Sequence, residues 1–172
     1  MVQTHVFVKI KSSAAFITES VIEFNVVPNE KTPWHYHDVF SETFEVLRGT
    51  LEVGKDKKIY QLKQGDIVTI QPQEKHYFNN AFDEECVVKV TVRPGNKNFE
   101  KALLISKGLT KDGFANLSGI PTKISDLALI LYLYNSRMVG FRKLVEPLFK
   151  YLARRSINKG RLDELTRIYC DV

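Results

Sequence analysis

Three histidines and a glutamate carry the chemistry that can be read from this sequence. His35, His37 and Glu42 lie within PWHYHDVFSETFEVLRGTLEV, and His76 lies within GDIVTIQPQEKHYFNN. Imidazole nitrogen and carboxylate oxygen are the donors that suit Zn, Fe, Ni, Cu and Mn. The spacing says more than the residue types. His35 and His37 are two apart, so on a strand they point to one face, whereas a helix would splay them by about 200°. Two ligands at that spacing argue for a metal site built on a sheet. Glu42 follows a short turn, and by alternation it shares a face with Phe44 and Val46. In the later segment His76, Phe78 and Asn80 share a face. If each set faces inward, three nitrogens and one carboxylate oxygen converge in an apolar cavity lined by Phe44, Val46 and Phe78. Such groups are costly to bury bare, and one cation satisfies them together.

The neighbouring candidates fall away on parity. Glu45 is the rival carboxylate, but it stands at odd spacing from Glu42 and should face the other way. Tyr36, Tyr77 and Lys89 also point away from the ligand faces. Glu42 is therefore the expected proton carrier as well as a ligand, since a carboxylate can exchange between metal and proton. The fourth histidine, His5, reads as a surface or hydrogen-bonded residue. Trp34, the single tryptophan, reads as packing at the rim of the site.

Elements that could position these residues follow from the pattern. THVFVKI, SVIEFNVV, PWHYH, SETFEVLRG, TLEVG, KIYQLK, DIVTIQP, KHYFNN and CVVKVTVRP are short, rich in β-branched and aromatic residues, and bounded by turn residues. Nine closely spaced strands predict an all-β sandwich or barrel. After about residue 97 the period changes. Ser125 could cap a helix starting at Asp126, with Leu127, Ile130, Leu131, Tyr134 and Met138 at helical spacing. Helices are expected over 125–139 and 141–155, with Pro147 marking a kink or a new first turn. Gly160 precedes a third stripe, Leu162, Leu165, Ile168 and Tyr169. The domains read as a barrel over 1–96 and a helical extension over 97–172, packed on the barrel or on a dimer partner.

Composition bounds the rest. The chain has 172 residues, 44% hydrophobic and 26% charged, ordinary for a domain that buries a real core. The net charge of +5 is uneven: residues 1–96 hold 11 Lys/Arg against 13 Asp/Glu, and residues 97–172 hold 14 against 7. The basic half reads as a solvated helical face, since no basic run is interleaved with aromatics, and no nucleic-acid partner is expected. The N-terminal stretch alternates in place of forming an apolar run, and the longest apolar run, Leu127 to Tyr134, has eight residues. Neither a secretory signal nor a membrane span is expected. Two distant cysteines, Cys86 and Cys170, fit a reducing, cytoplasmic setting.

The two histidine-bearing segments resemble the cupin family. Its first motif is Gly, five residues, His-x-His, three or four residues, Glu, six residues, Gly. His35, His37, Glu42 and Gly49 match it, with Asn29 at the leading glycine. The second motif is Gly, five residues, Pro-x-Gly, two residues, His, three residues, Asn. Gly65, His76 and Asn80 match it, with Gln71 and Gln73 at the Pro and inner Gly positions. The departures fall on turn positions and leave the ligand positions intact. The resemblance covers about residues 15–95. It implies a mainly β fold, a double-stranded β-helix or jelly-roll barrel, here followed by C-terminal α-helices. It also implies one divalent transition metal (Fe, Mn, Ni, Zn or Cu) held by His35, His37, Glu42 and His76. Gly108-Leu109-Thr110-Lys111-Asp112-Gly113 looks like a segment that precedes helices in some small bacterial members.

Such a site leaves coordination positions open for water, O2 or a chelating substrate. The expectation is a small-molecule metalloenzyme, either dioxygenase-like or an isomerase or lyase using the metal as a Lewis acid. The alternative is a non-enzymatic sensor or binding protein. A homodimer is expected, because a helix apolar on both faces needs two partners.

Overall fold

The computed structural model describes residues 7–13 and 18–170; His5 lies outside the described residues. The strands are β1 (Val8–Ser12), β2 (Ser20–Val26), β3 (His35–His37), β4 (Ser41–Arg48), β5 (Thr50–Lys55), β6 (Lys58–Lys63), β7 (Ile67–Ile70), β8 (His76–Asn79), β9 (Cys86–Arg93) and β10 (Ser136–Met138). The helices are α1 (Lys97–Lys111), α2 (Ile124–Leu133), α3 (Glu146–Asn158) and α4 (Arg161–Tyr169), with a 3-10 turn over Gly140–Val145. The strands form two antiparallel five-stranded sheets, ordered β1-β2-β9-β4-β7 and β10-β3-β8-β5-β6. Alternation explains the core. In β9, Cys86, Val88, Val90 and Val92 point inward and are at most 1% exposed, while Val87, Lys89 and Thr91 face away. They meet Val46, Leu51 and Val53 from β4 and β5 in one apolar cluster. Each such fully buried side chain contributes roughly 1.5–3 kcal/mol.

Three features of the tail differ from the periodicity reading. First, α1 exists, and nothing in the expected helices included it. Its start is set by Asn96, whose side chain accepts from the backbone N–H of Asn98 and Phe99. Second, α2 is capped at Lys123 without a side-chain hydrogen bond, and the Ser125 hydroxyl bonds Asp126 instead. Third, α2 stops at Leu133 and does not run to 139. The chain reverses at Asn135, which has φ 50°, and Ser136–Met138 become strand β10 on the outer edge of β3. An unpaired strand edge beside β3 outweighs one more helical turn: β10 pairs Ser136 with His37 and Met138 with His35, and Met138 N–H donates to Glu146 at 2.9 Å. Pro147 lies in the first turn of α3, so it starts a helix and does not kink one.

The tail is pinned to the barrel by buried polar groups. Lys107 on α1 donates to both oxygens of Glu30 at 2.8 and 3.0 Å and to the Asn25 carbonyl at 2.9 Å. Glu100 accepts from Ser20 and Ser13. The helices have their own apolar cluster, centred on Ile105, Leu109, Leu129 and Leu165, and Tyr134 touches both clusters. Asp126 and Arg161 tie α2 to α4 at 2.6 Å. No helix among the described residues is long and apolar enough to cross a membrane.

The Glu30–Lys107 pair makes a clear prediction. Both residues are at most 6% exposed. Lys107→Ala should leave Glu30 buried without a counter-ion and cost about 3 kcal/mol or more in urea unfolding. The double replacement Glu30→Gln with Lys107→Met should recover part of that loss.

Candidate metal centre

The centre is assembled across the two sheets. β3 is only three residues long and is held between β10 and β8. His35 pairs with His76 across the β3–β8 ladder, and His37 pairs with Ser136 of β10. Glu42 comes from the opposite sheet, where β4 runs between β7 and β9 and Glu42 lies beside Ile70 and Val92. Closing one sheet over the other brings one donor atom from each of His35, His37, Glu42 and His76 within 4.8 Å of the rest. The Nε2 atoms of His37 and His76 lie 3.0 and 2.8 Å from one Glu42 oxygen. His37, Glu42 and His76 are buried, and His35 is half-buried at the cavity side.

Hydrogen bonding defines the proton positions. His35 Nδ1 lies 2.8 Å from the Pro33 carbonyl and His76 Nδ1 lies 3.1 Å from the Glu74 carbonyl. A carbonyl only accepts, so both Nδ1 atoms carry hydrogen and both Nε2 atoms turn to the cluster. Burial by itself pushes His76 down, but the hydrogen bond and charge of Glu42 outweigh it and raise the pKa. Burial likewise pushes Glu42 up, yet His37 and His76 hold it well below the usual carboxylate range. Burial, then the nearness of His76 and His37, pushes His35 down to about 3, so this ring is neutral. The cluster therefore holds one buried anion with protonic charge crowded against it, in the place where a cation would sit.

The donor set fits a metal. Bonds of about 2.1 Å put ligand atoms at most about 4.2 Å apart, so the observed cluster needs only a small contraction. His37 Nδ1 is buried without a hydrogen-bond partner. Its ring is oriented by packing instead, stacked on Phe40 at 4.5 Å and edge-on to Phe99 at 6.2 Å. Three imidazoles and one carboxylate in this arrangement could hold Fe, Mn, Ni, Zn or Cu.

The other singled-out residues stand elsewhere. Glu45 faces out and pairs with Lys89. The Tyr77 hydroxyl donates to Glu52 on the outer face, and Tyr36 lies under Lys143. Trp34 packs edge-on against Tyr77 at 4.6 Å and also lines the cavity mouth. Val46 is not a cavity residue: it packs in the barrel core below, because the cavity ends at Phe44. Asn80 is not a cavity residue either. Its side chain donates to the Val26 and Glu84 carbonyls and accepts from Phe82 N–H, which folds the turn after β8.

The motif departures keep the turn geometry. Gly49 has φ +83°, and a Cβ there would lie 2.9 Å from the Glu85 carbonyl, so glycine is required. Asn29 and Gln73, which occupy glycine positions of the cupin motifs, have φ 65° and 69°. The backbone still enters the left-handed region, at a cost to an L side chain. Gln73 N–H then donates to the His37 carbonyl at 2.7 Å, so this turn helps hold the His37 strand.

A cavity of about 280 Å³ opens from the cluster. Phe24, Phe44 and Phe78 wall it from the barrel, and Leu103, Ile130 and Met138 wall it from the tail. Tyr134 and Ser106 add hydroxyls that sequence reasoning missed. Tyr134 looked like one more member of an apolar stripe, and no local signal distinguished it.

Two antiparallel five-stranded sheets with a histidine-rich cluster between them define a double-stranded β-helix protein with a possible metal centre. Residues 22–93 match the Cupin_2 family model, described as a cupin domain, and this part of the chain is a cupin domain. Among solved structures, KdgF from a Halomonas species is similar at 15% identity and TM-score 0.50, covering 57% of this chain and 88% of that one. A Klebsiella pneumoniae protein with a double-stranded β-helix domain is similar at 22% identity and TM-score 0.46, covering 54% and 80%. A cupin 2 conserved barrel domain protein from Salinispora arenicola is similar at 18% identity and TM-score 0.45, covering 51% and 75%. At these identities the likeness concerns the fold. No curated protein matches the sequence.

Two predictions follow from the geometry. Removal of a ligand should cost more than the roughly 10–100-fold typical of an outer-shell change. Elemental analysis of His37→Ala and His76→Ala should accordingly show metal lost at ordinary concentrations with the circular dichroism spectrum retained; full metal content in either variant overturns the ligand assignment. Gln73→Gly should relieve the left-handed strain and raise stability by about 0.5–1 kcal/mol in urea unfolding, with metal content unchanged.

Proposed function

We propose that this protein is a small-molecule metalloenzyme in which His35, His37, Glu42 and His76 hold one divalent transition metal. The observation that carries the reading is the convergence of four donor atoms in a cavity walled largely by apolar side chains. A redox-active ion supplies dioxygenase-type chemistry on an enolate or catecholate, and a redox-silent one supplies Lewis-acid polarisation of a carbonyl, as an isomerase or lyase needs. The chain's own residues do the rest. Pro33 and Glu74 carbonyls hold the His35 and His76 rings in one tautomer and orientation. Glu42, touching His37 and His76 through one oxygen, is positioned to take and return a proton at that oxygen. The apolar walls exclude water and strengthen these charges.

Burial of Ala128, Leu129, Ile130 and Leu133 of α2 in the helices' own apolar cluster argues against a DNA-reading helix. The test is metal analysis of protein purified without added metal, followed by oxygen uptake with catechols, diketones and thiols. A metal-loaded protein should consume oxygen or isomerise a carbonyl substrate, and Glu42→Gln should lower the rate at least about 100-fold. A metal-loaded protein inert in both assays sinks the enzyme reading in favour of a sensor.

A further inference from the structure

The charge inventory of the cavity selects its occupant; the argument rests on the cluster being the reactive end. Outside the cluster, the charged side chains lining the cavity are Glu30, Lys107 and Arg137 among the described residues. An ammonium has three N–H donors, and Lys107 spends all of them on Glu30 and the Asn25 carbonyl. Glu30 also accepts from Val27 N–H at 3.1 Å. Arg137, at the rim, is bound to Asp38 at 2.6 Å and lies 3.7 Å from Glu146. Each of these charges is already met by the protein. An ionised group on the body of a ligand would find no counter-ion among apolar walls, and an unpaired buried charge is heavily penalised.

Size narrows the class further. An apolar cavity of roughly 150 Å³ holds benzene, so in proportion 280 Å³ holds about eleven non-hydrogen atoms. This admits one substituted ring or a branched chain. Away from the cluster the cavity offers hydroxyls, those of Thr32, Ser118 and Ser136 and, beside the aromatic wall, that of Tyr134. Tyr134, from the turn after α2, lines the cavity near Ser106, whose own hydroxyl donates to the Gly119 carbonyl at 3.0 Å. Its ring is fixed edge-on to Phe99 at 5.2 Å. Burial, with Glu42 and Glu30 nearby, pushes its pKa up, so it stays a phenol and a donor.

We infer that the substrate is a compact aromatic or branched-alkyl molecule of about eleven non-hydrogen atoms, with one phenolic or enolic O–H at the histidine cluster, no other ionised group, and one further oxygen that accepts from Tyr134. Tyr134 is then a specificity residue brought to the cavity by the tail.

Three probes of matched size test this by ligand-observed NMR titration: 4-hydroxyacetophenone, 4-propylphenol and tyramine. Each is run on zinc-supplemented and on chelator-treated protein, with zinc content measured directly. The two uncharged phenols should bind, and tyramine, which adds an ammonium, should bind at least about 100-fold more weakly. Tyr134→Phe should weaken 4-hydroxyacetophenone about tenfold, as for one lost hydrogen bond. It should leave 4-propylphenol, which offers Tyr134 no oxygen, unchanged. Leu127→Phe, which narrows the cavity, should weaken both phenols alike. Equal binding of tyramine, no binding of either phenol, or an equal effect of Tyr134→Phe on both phenols would overturn the inference. Zinc content reports separately on the metal reading: protein that takes up no zinc yet discriminates among the probes as stated refutes the metal centre and upholds the cavity's selectivity.

Discussion

A carboxylate buried between imidazoles, in the wall of an apolar cavity, is the constraint around which this structure is organised. Glu42 cannot be ionised there without positive charge against it, and His37 and His76 meet it through a single oxygen. That contact joins the two sheets, because Glu42 belongs to one and the histidines to the other. The outer hydrogen bonds from Pro33 and Glu74 serve the same end. They fix where each ring's hydrogen lies and so which nitrogen faces the cluster.

The helical tail is part of the site and not an appendage to it. β10 covers the outer edge of the three-residue strand that bears His35 and His37, supplying backbone partners that so short a strand would otherwise lack on that side. The tail also walls the cavity opposite the barrel, with Leu103, Ile130, Met138 and Tyr134 facing Phe24, Phe44 and Phe78. The two parts are locked by the Glu30–Lys107 pair, whose polar groups are mutually satisfied. The same lock leaves the cavity wall without spare charge. One interaction thus serves stability and selectivity together.

The turns show how much departure from a family pattern a fold accepts. Asn29 and Gln73 stand where the cupin motifs have glycine, and both adopt the left-handed backbone that glycine would have taken freely. Hydrogen bonds from Asn29 to the Asn80 carbonyl and from Gln73 to the His37 carbonyl hold that geometry. The conformation is thus dictated by the surrounding sheet, and the residue type alters its cost and not its shape.

The candidate ligands were legible in the sequence because strand alternation is a local rule. His35 and His37 two apart, and Glu42 opposite in parity to Glu45, say which side chains share a face without any knowledge of the fold. The barrel strands were legible for the same reason, as was the start of α4 after Gly160; Pro147 left a kink and a new first turn equally open, and the expected helix over 141–155 begins only at Glu146, after a 3-10 turn. What the sequence did not disclose is non-local. Met138 continued a helical period, yet its segment became a strand, since the edge it covers belongs to residues about a hundred positions earlier. Tyr134 read as apolar filler, and only the packing of the tail on the barrel made it a wall of the cavity. Val46 shares its parity with Glu42 but lies too deep to meet the cavity. Local spacing determines which way a side chain points along its own strand; what it meets there depends on distant segments, and that was decided only when the two sheets and the tail closed on one another.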